Sequence, residues 1–371
     1  MKQRKNFSYA KYGYIFCIPF ILAFLIFSFY PLYYTVSISI SDRQGVPLPG
    51  REYGIQTRAL FDEEKIPVYD DNGNPLYDED GARVYDITRT PILDEDGNQI
   101  IKIAPLENFR TVLNTEMFKR AFATTFRLWI VNFIPQILLA IILAAWFTSR
   151  WTKIKGQGVF KVLFYMPNII TAGTIAVLFS TLFLFPTGVV NDALIRWGIL
   201  ETPKNFRVDA NATRLIVSFI QFWMWYGYTM LILISGILGL NPQMYESADI
   251  DGAGAVKQFF FITLPNLRTI LIFTFVTSLI GGLNMFDIPM LYAGGGPGGA
   301  TRTTSMFIYN QAFAGAYRYN TASAASVLMF LIIAALSAVI FVIMRDKDEA
   351  RLKKLKKAEA RAIKQAAKAV N

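Results

Sequence analysis

Six long runs of apolar residues constrain the fold of this 371-residue chain more than any other feature of its sequence. A helix needs about 20 apolar residues to cross the hydrocarbon core of a bilayer, and every run is longer than that. The runs lie at 12–40, 118–147, 159–185, 213–240, 267–292 and 322–344. With 53% hydrophobic and only 17% charged residues, the chain is too apolar for a soluble protein of this length. The sequence therefore predicts an all-α membrane protein with six transmembrane helices.

The charges are segregated along the chain, as a membrane topology requires. Residues 42–116 carry 16 acidic and 8 basic side chains, whereas the rest of the chain has a net charge of +18. The segments on one side of the predicted spans hold 20 Lys and Arg, against 13 on the other. These basic segments are 1–11, 148–161, 241–268 and 345–371. Because basic loops stay in the cytoplasm, both termini are expected to be cytoplasmic. The total charge of +10 reflects this topology and does not indicate a nucleic-acid partner.

Four regions follow from this pattern. Residues 1–41 form the cytoplasmic N-terminus and the first span, and residues 42–116 form an acidic extracytoplasmic insertion. Residues 117–344 form a five-helix core with a cytoplasmic loop at 241–266, and residues 345–371 form a basic cytoplasmic tail. We expect the tail to continue the last span as a helix, either as a solvated charge cluster or in contact with anionic lipids or a partner.

The insertion repeats an Asp/Asn-Gly pattern at 70–73, 78–81 and 94–97. Such pairs favour tight hairpin turns, because glycine accepts positive φ and the Asx side chain bonds its own backbone. Short alternating apolar stretches lie between them, so a small β-rich meander is expected. Calcium binding is the alternative, although the spacing is not that of an EF-hand loop.

The residue inventory excludes much enzyme chemistry. The chain has no histidine and a single cysteine, Cys17, so no metal site, disulfide or cofactor site is predicted. No G-x4-G-K-[ST] phosphate loop is present, so no ATPase site and no catalytic residues are expected within the chain.

Polar residues inside the apolar runs predict a solute path. They occur at helical spacing in the second, fourth and fifth runs, and unpaired polar groups in hydrocarbon are costly. The alternative role for each is an interhelical hydrogen bond. The candidates are Asn132 and Gln136; Gln221, Trp225 and Tyr228; and Asn284 and Asp287.

The polar stretch 245–267 interrupts two apolar runs on the predicted cytoplasmic side. Asn241 and Pro242 supply an N-cap and a first helical residue, and Gly252 supplies a stop, so a short helix is expected between them. Small residues here permit close approach of a partner, and Glu246, Asp249 and Asp251 offer charge to it.

The stretch has the spacing E-x-A-x3-G-x9-I-x-L-P, which resembles the EAA loop of permease subunits in bacterial ABC importers. Ser247 stands where that family usually has alanine. Further stretches resemble the carbohydrate branch of the maltose and glycerol-phosphate type, including Y-P-L at 30–32, Y-M-P at 165–167 and G-G-G-P-G-G-A-T at 294–301. The resemblance covers nearly the whole chain except residues 44–103 and the tail.

The resemblance implies the type I ABC importer permease fold in a bacterial cytoplasmic (inner) membrane. It implies a non-enzymatic subunit that works with a second homologous permease, two ABC ATPase subunits, an extracytoplasmic solute-binding protein and a sugar substrate. The residues that would couple to the ATPase are Glu246, Ser247, Ala248, Asp251, Gly252, Ala253, Ile262, Leu264 and Pro265. The amides and carboxylate of the path would bind sugar hydroxyls, and its aromatic rings would stack on apolar sugar faces.

Three other functions stay open at this point. The same architecture could import a polyol, a glycerol phosphodiester or a peptide. A membrane-embedded enzyme lacks obvious chemistry, since Asp287 is one of few carboxylates inside the runs. A secondary transporter would work without an ATPase, and the 245–267 stretch argues against it.

Overall fold

The computed structural model describes residues 10–44, 54–59, 61–68, 85–91, 101–151, 155–314 and 317–344. Within these ranges, five helical segments, some made of more than one helix, are long and apolar enough to cross a membrane: Tyr14–Ser39, Glu116–Thr148, Ala210–Leu238, Arg268–Ala293 and Tyr319–Met344. A bent pair of helices, Gln157–Ile169 and Ala172–Leu182, adds a sixth span if it is counted as one. The prediction of a helical multi-pass membrane protein is therefore confirmed. The segment that was predicted as a basic helical tail, 345–371, lies outside the described residues.

The elements are as follows. The α-helices are α1 (Ala10–Phe24), α2 (Tyr30–Ser39), α3 (Glu107–Asn114), α4 (Glu116–Thr148), α5 (Gln157–Ile169), α6 (Ala172–Leu182), α7 (Val189–Arg196), α8 (Ala210–Leu238), α9 (Pro242–Ile250), α10 (Ala255–Gln258), α11 (Leu264–Asn266), α12 (Arg268–Leu283), α13 (Asp287–Ala293), α14 (Thr304–Phe313) and α15 (Tyr319–Met344). Two π-helical turns, Leu25–Phe29 and Phe259–Thr263, join α1 to α2 and α10 to α11. The strands are β1 (Thr57–Ala59), β2 (Phe61–Pro67), β3 (Tyr85–Pro91) and β4 (Ile101–Ile103).

The third apolar run, which was predicted as one span, is divided into two helices. Helices α5 and α6 are bent by 93° at their junction. Ile170 is extended there, and the Thr171 hydroxyl accepts the backbone N–H of Thr174 at 3.3 Å, so a new helix is capped inside the apolar run.

The fifth run is also broken. Helix α12 ends at Leu283 and α13 begins at Asp287, so Asn284 and Asp287 do not share one continuous helix as their spacing suggested. Pro289 lies in the first turn of α13, where a proline is tolerated because the N–H it lacks has no partner within the helix.

The described residues fall into two compact units, one up to residue 115 together with 308–328, the other formed by 116–307 and 329–344. In the second unit, α4 and α8 pack against each other around side chains that are fully buried, among them Ala140, Ala144 and Leu233. Gly227 of α8 lies against the backbone of α5, where an added Cβ would come within 2.0 Å of the Phe164 carbonyl oxygen. Small residues of this kind allow membrane helices to approach closely.

The first unit contains an apolar span and two strand pairs. None of the apolar window in the span 14–39 is buried within this chain. The buried amide of Asn108 donates to the carbonyls of Ser39 and Ser41 at 2.9 and 2.8 Å, and Asn320 donates to Asn108 Oδ1 at 3.0 Å. This network ties the end of the first span to α3 and to the start of α15.

The four described strands pair in a nested order, and the prediction of a meander stays a prediction because much of the insertion lies outside the described residues. Strand β1 pairs antiparallel with β4, and β2 pairs antiparallel with β3. Residues 57 and 103 are partners at one end of the first ladder, and 61 and 91 are partners in the second. The three predicted Asp/Asn-Gly turns, at 70–73, 78–81 and 94–97, lie outside the described residues.

Candidate functional site

A cavity of ≈ 440 Å³ lies within the second unit, between α4, α8, α12 and the break that precedes α13. The polar residues that the sequence suggested for a solute path all line it, although they come from three different apolar runs. They are Asn132, Gln136, Gln221, Trp225, Tyr228, Asn284 and Asp287. The structure thus brings together every member of the predicted set, and their role in transport stays a prediction.

Asn132 and Gln136 form part of the cavity wall. Both are almost completely buried, at 6% and 5% exposure. Asn132 Nδ2 donates to the carbonyl of Leu128 in its own helix at 2.8 Å, and Gln136 Nε2 donates to the Thr229 hydroxyl of α8 at 2.8 Å. The Gln136 contact is the interhelical hydrogen bond that was the alternative role for these residues.

The other members of the set are less buried than Asn132 and Gln136. Trp225 and Tyr228 are 44% and 38% exposed, and their rings meet edge to face with centroids 5.8 Å apart. Asn284 and Asp287 are exposed at the break between α12 and α13, where Asn284 Nδ2 bonds the Ile280 carbonyl at 2.9 Å. Two aromatic rings, several side-chain amides and one carboxylate therefore line the same cavity.

Sequence reasoning missed a polar stripe on α12. Thr274, Thr277 and Ser278 line the cavity at a spacing of three and four residues, and the same criterion of helical spacing identifies them when hydroxyl side chains are included. Trp129 was missed as well. Its indole Nε1 donates to the Ser278 hydroxyl at 3.3 Å, and its ring stacks on Phe133 with centroids 5.5 Å apart.

Gly282 makes room for the Trp129 ring. A Cβ at Gly282 would lie 1.9 Å from the indole Cδ1, whereas a Cβ at the adjacent Gly281 would meet nothing within 4 Å. The position of the Trp129 ring at the cavity wall therefore depends on glycine at 282.

The short helix expected after Asn241 is confirmed as α9. The Asn241 side chain accepts the backbone N–H of Gln243 at 3.0 Å, and Pro242 occupies the first turn. Gly252 ends the helical segment with φ +73, a conformation that favours glycine, and Ala253 N donates to the Ala248 carbonyl at 2.9 Å. These are the local signals that predicted the helix.

Helix α9 exposes much of the predicted coupling set. Glu246, Ser247, Asp251 and Gly252 are exposed, together with Pro265 after the π-turn. Ala248 is buried at 8%, whereas Ala253, Ile262 and Leu264 are partly buried. Ile250, the last residue of the helix, is 87% exposed. No other part of the described chain covers this apolar side chain, which lies next to the carboxylates in the sequence.

The buried side of α9 is braced by residues that sequence reasoning did not single out. Gln258, at 5% exposure, donates from Nε2 to Asp249 Oδ1 at 2.5 Å and to the Ala253 carbonyl at 2.8 Å. The Tyr245 hydroxyl lies 2.9 Å from the Thr263 hydroxyl, and the Arg150 guanidinium lies 5.4 Å from the Tyr245 ring centroid. The helix is therefore fixed to the segment that leads into α12.

A polar cap organises the start of α8. Asp209 accepts the backbone N–H groups of Asn211 and Ala212 at 2.9 and 3.1 Å and pairs with Lys204 at 2.9 Å. The hydrogen bond from Lys204, followed by those from the two backbone amides, lowers the pKa of Asp209 below its usual range.

The described residues contain no group of three or more acidic, cysteine or histidine side chains that could hold a metal ion. A multi-pass helical protein with a polar cavity and a capped, exposed helix between two spans has the architecture of a membrane transport component. Residues 126–354 match the family model of the binding-protein-dependent transport system inner membrane component, and the chain belongs to this family.

Known relatives agree with this family. The lactose transport system permease protein LacF of Rhizobium radiobacter is 29% identical over 250 residues, which cover 67% of this chain and 83% of LacF. A crystal structure of a bacterial ABC transporter for the acidic polysaccharide alginate shares the fold, with a TM-score of 0.65 and 21% identity over 90% of this chain and 95% of that chain. A second structure, of a bacterial alginate ABC transporter in complex with an alginate pentasaccharide-bound periplasmic protein, has a TM-score of 0.56 and 26% identity over 64% and 82% of the two chains.

Proposed function

We propose that the protein is the permease subunit of an ATP-driven, binding-protein-dependent importer and forms half of the translocation path for a sugar or oligosaccharide. The observation that carries this proposal is the convergence of Asn284, Asp287, Trp225 and the other predicted path residues on one cavity. Amides and a carboxylate suit sugar hydroxyls, and aromatic rings suit the apolar faces of sugar rings. A relative named as a lactose transport permease and a solved alginate transporter that is 26% identical support a carbohydrate substrate.

In this proposal the bent pair α5–α6 counts as one of six spans of the type I ABC importer fold, with both termini in the cytoplasm. The strand-bearing insertion lies outside the membrane and contacts a solute-binding protein. A second homologous permease completes the path, and two separate ATPase subunits hydrolyse ATP. The family and the solved complex with a periplasmic protein support this assembly.

Helix α9 is the proposed contact with the ATPase. Its exposed carboxylates and the uncovered Ile250 form a surface for a partner, while Gln258 and Tyr245 hold it to the rest of the core. A movement of the ATPase would then shift α9 as a rigid element and switch the core between its inward-open and outward-open states.

Substitutions at two glycines next to α9 test its proposed role as the contact with the ATPase. Gly252 has φ +73, whereas Gly254, two residues later, has φ −66. Gly252→Ala forces a non-glycine residue into the left-handed region, at a cost of about 1 kcal/mol. Gly254→Ala adds a methyl group in open space and serves as the matched control.

The measurement is uptake and substrate-stimulated ATP hydrolysis by the complex purified with its ATPase. We expect Glu246→Lys to abolish both activities while the complex still inserts and assembles, and Gly252→Ala to reduce them several-fold relative to Gly254→Ala. Full transport by Glu246→Lys would refute the coupling role. Transport by the chain without an ATPase would refute the importer proposal.

A further inference from the structure

The charge of the cavity differs from what a path for acidic sugars requires. Asp287 is the one charged side chain among the described residues that line it, and no lysine or arginine is among them. The remaining polar groups are amides, hydroxyls and two indole N–H groups, which are all neutral.

The arginines at the nearby end of α8 are engaged elsewhere. Arg214 Nε donates to the Ala300 carbonyl at 3.0 Å. Arg207 donates to the carbonyl of Tyr292, and its guanidinium lies 5.1 Å from the centroid of that ring. Neither side chain lines the cavity.

An anionic solute would lose much of its hydration in this space without gaining a cationic partner from the described residues of this chain. Removal of a charge from water is costly unless the charge is paired, and the Asp287 carboxylate adds repulsion. A neutral saccharide meets neither penalty, because its hydroxyl groups donate to the carboxylate in charge-assisted hydrogen bonds.

We infer that this cavity admits uncharged saccharides and discriminates against uronates and sugar phosphates, with Asp287 as the specificity-determining residue. The inference rests on the proposed function and adds to it the charge class of the substrate. It separates this chain from a permease whose solute is acidic, even though the two share a fold.

The sign of the electrostatic potential in the cavity can be measured without knowledge of the natural substrate. Cys17 is the sole cysteine of the chain, so Cys17→Ser yields a chain free of cysteine, and the complex that carries this variant measures the background labelling of the partner subunits. Thr277→Cys then places a thiol at an exposed position in the cavity, and Thr202→Cys places one in an exposed loop outside it.

The probes are two methanethiosulfonates of similar size, one carrying a trimethylammonium group and the other a sulfonate. Each transfers its alkylthio group to the cysteine thiolate and releases methanesulfinate. Both are applied to the assembled complex, so that charges from partner subunits are included.

We expect the ratio of the cationic to the anionic reaction rate to be on the order of tenfold higher at Thr277→Cys than at Thr202→Cys. Adding Asp287→Asn should remove most of this excess. An anionic probe that reacts in the cavity as fast as the cationic one, relative to the loop control, would overturn the inference.

Uptake assays distinguish failure of the inference from failure of the proposed function. Cells that produce the complete system are given raffinose, maltotriose and matched trisaccharides containing uronate. Uptake of neutral trisaccharides alone supports the inference. Preferential uptake of uronates overturns it and leaves the sugar-importer function intact, whereas uptake of no saccharide in a broad panel overturns both.

Discussion

The close contact at Gly227 permits a quantitative test of the packing of the fourth apolar helix. A Cβ at this position would lie 2.0 Å from the Phe164 carbonyl oxygen and 2.9 Å from Tyr165 Cα, both backbone atoms of α5. Gly227→Ala therefore requires α8 and α5 to separate by about 1 Å, because Cβ contacts under 3.0 Å essentially never occur. Backbone atoms inside a helix cannot turn aside as a side chain can.

The magnitude follows from two opposing terms. Overpacking of this kind costs about 3 kcal/mol, at the upper end of the usual range, while alanine gains about 1 kcal/mol over glycine in helix propensity. The expected net loss is about 2 kcal/mol, which lowers the apparent Tm by roughly 2–3 °C in a protein of this size.

Two further glycines at the end of α8 provide graded controls. A Cβ at Gly236 would meet the flexible Cδ1 of Ile270 at 2.3 Å, and a Cβ at Gly239 would meet nothing closer than 3.5 Å. Since the Ile270 methyl can rotate away, Gly236→Ala should cost less than about 1 kcal/mol. Gly239→Ala should lie within about 0.5 kcal/mol of the parent.

The assay is thermal unfolding of the purified complex, followed by size-exclusion chromatography with fluorescence detection. The expected order of apparent Tm is Gly239→Ala, then Gly236→Ala, then Gly227→Ala, with the last clearly separated. If Gly227→Ala unfolds at the same temperature as Gly236→Ala, the argument that backbone contacts set the cost is wrong.

Two other substitutions test the cavity wall and the α8 cap. Gly282→Ala should displace the Trp129 ring and reduce transport about tenfold or more, whereas Gly281→Ala, whose Cβ meets open space, should retain most of it; equal uptake rates would refute this. Asp209→Ala should lower the apparent Tm at pH 7, and Asp209→Asn should do so less, because asparagine still caps a helix. Since the folded-state pKa of Asp209 is lowered, its contribution is fully present above the ordinary value of 3.8 and is lost as the pH falls through the lowered value. The gap between wild type and Asp209→Asn should therefore narrow in melts from pH 5 to 3, and a gap independent of pH would contradict the Lys204 pairing.

Hydrophobic patterning predicted the helices because the bilayer imposes a single requirement on every span. The backbone must satisfy its own hydrogen bonds, so a long apolar run can only be helical. The helix α9 was predictable for a different reason. Its signals, the Asn241 cap and the left-handed Gly252, are local in the sequence and act within one turn of helix.

The contacts between helices could not be predicted in the same way. The approach of Gly227 to Phe164 depends on which helix faces which, and no local pattern encodes that. The 93° bend after α5 has a local signal in the Thr171 cap, but hydrophobic patterning does not detect it. The polar residues of the path are an intermediate case. Helical spacing placed them on common faces of their own helices, but only the packing of α4, α8 and α12 determines that those faces meet at one cavity.

The buried hydrogen bonds of Gln258 that support α9 could not be predicted from the sequence, whereas the exposed motif of α9 could. A buried amide that joins Asp249 to Ala253 looks in the sequence like any polar residue of a loop. Its position nevertheless determines what the proposed coupling can do. The chain runs from Gln258 through the π-turn and α11 into α12, and it remains helical or turn-like up to Leu283. Because α12 carries Thr274, Thr277 and Ser278 into the cavity, a displacement of α9 would move that wall without passing through a flexible loop.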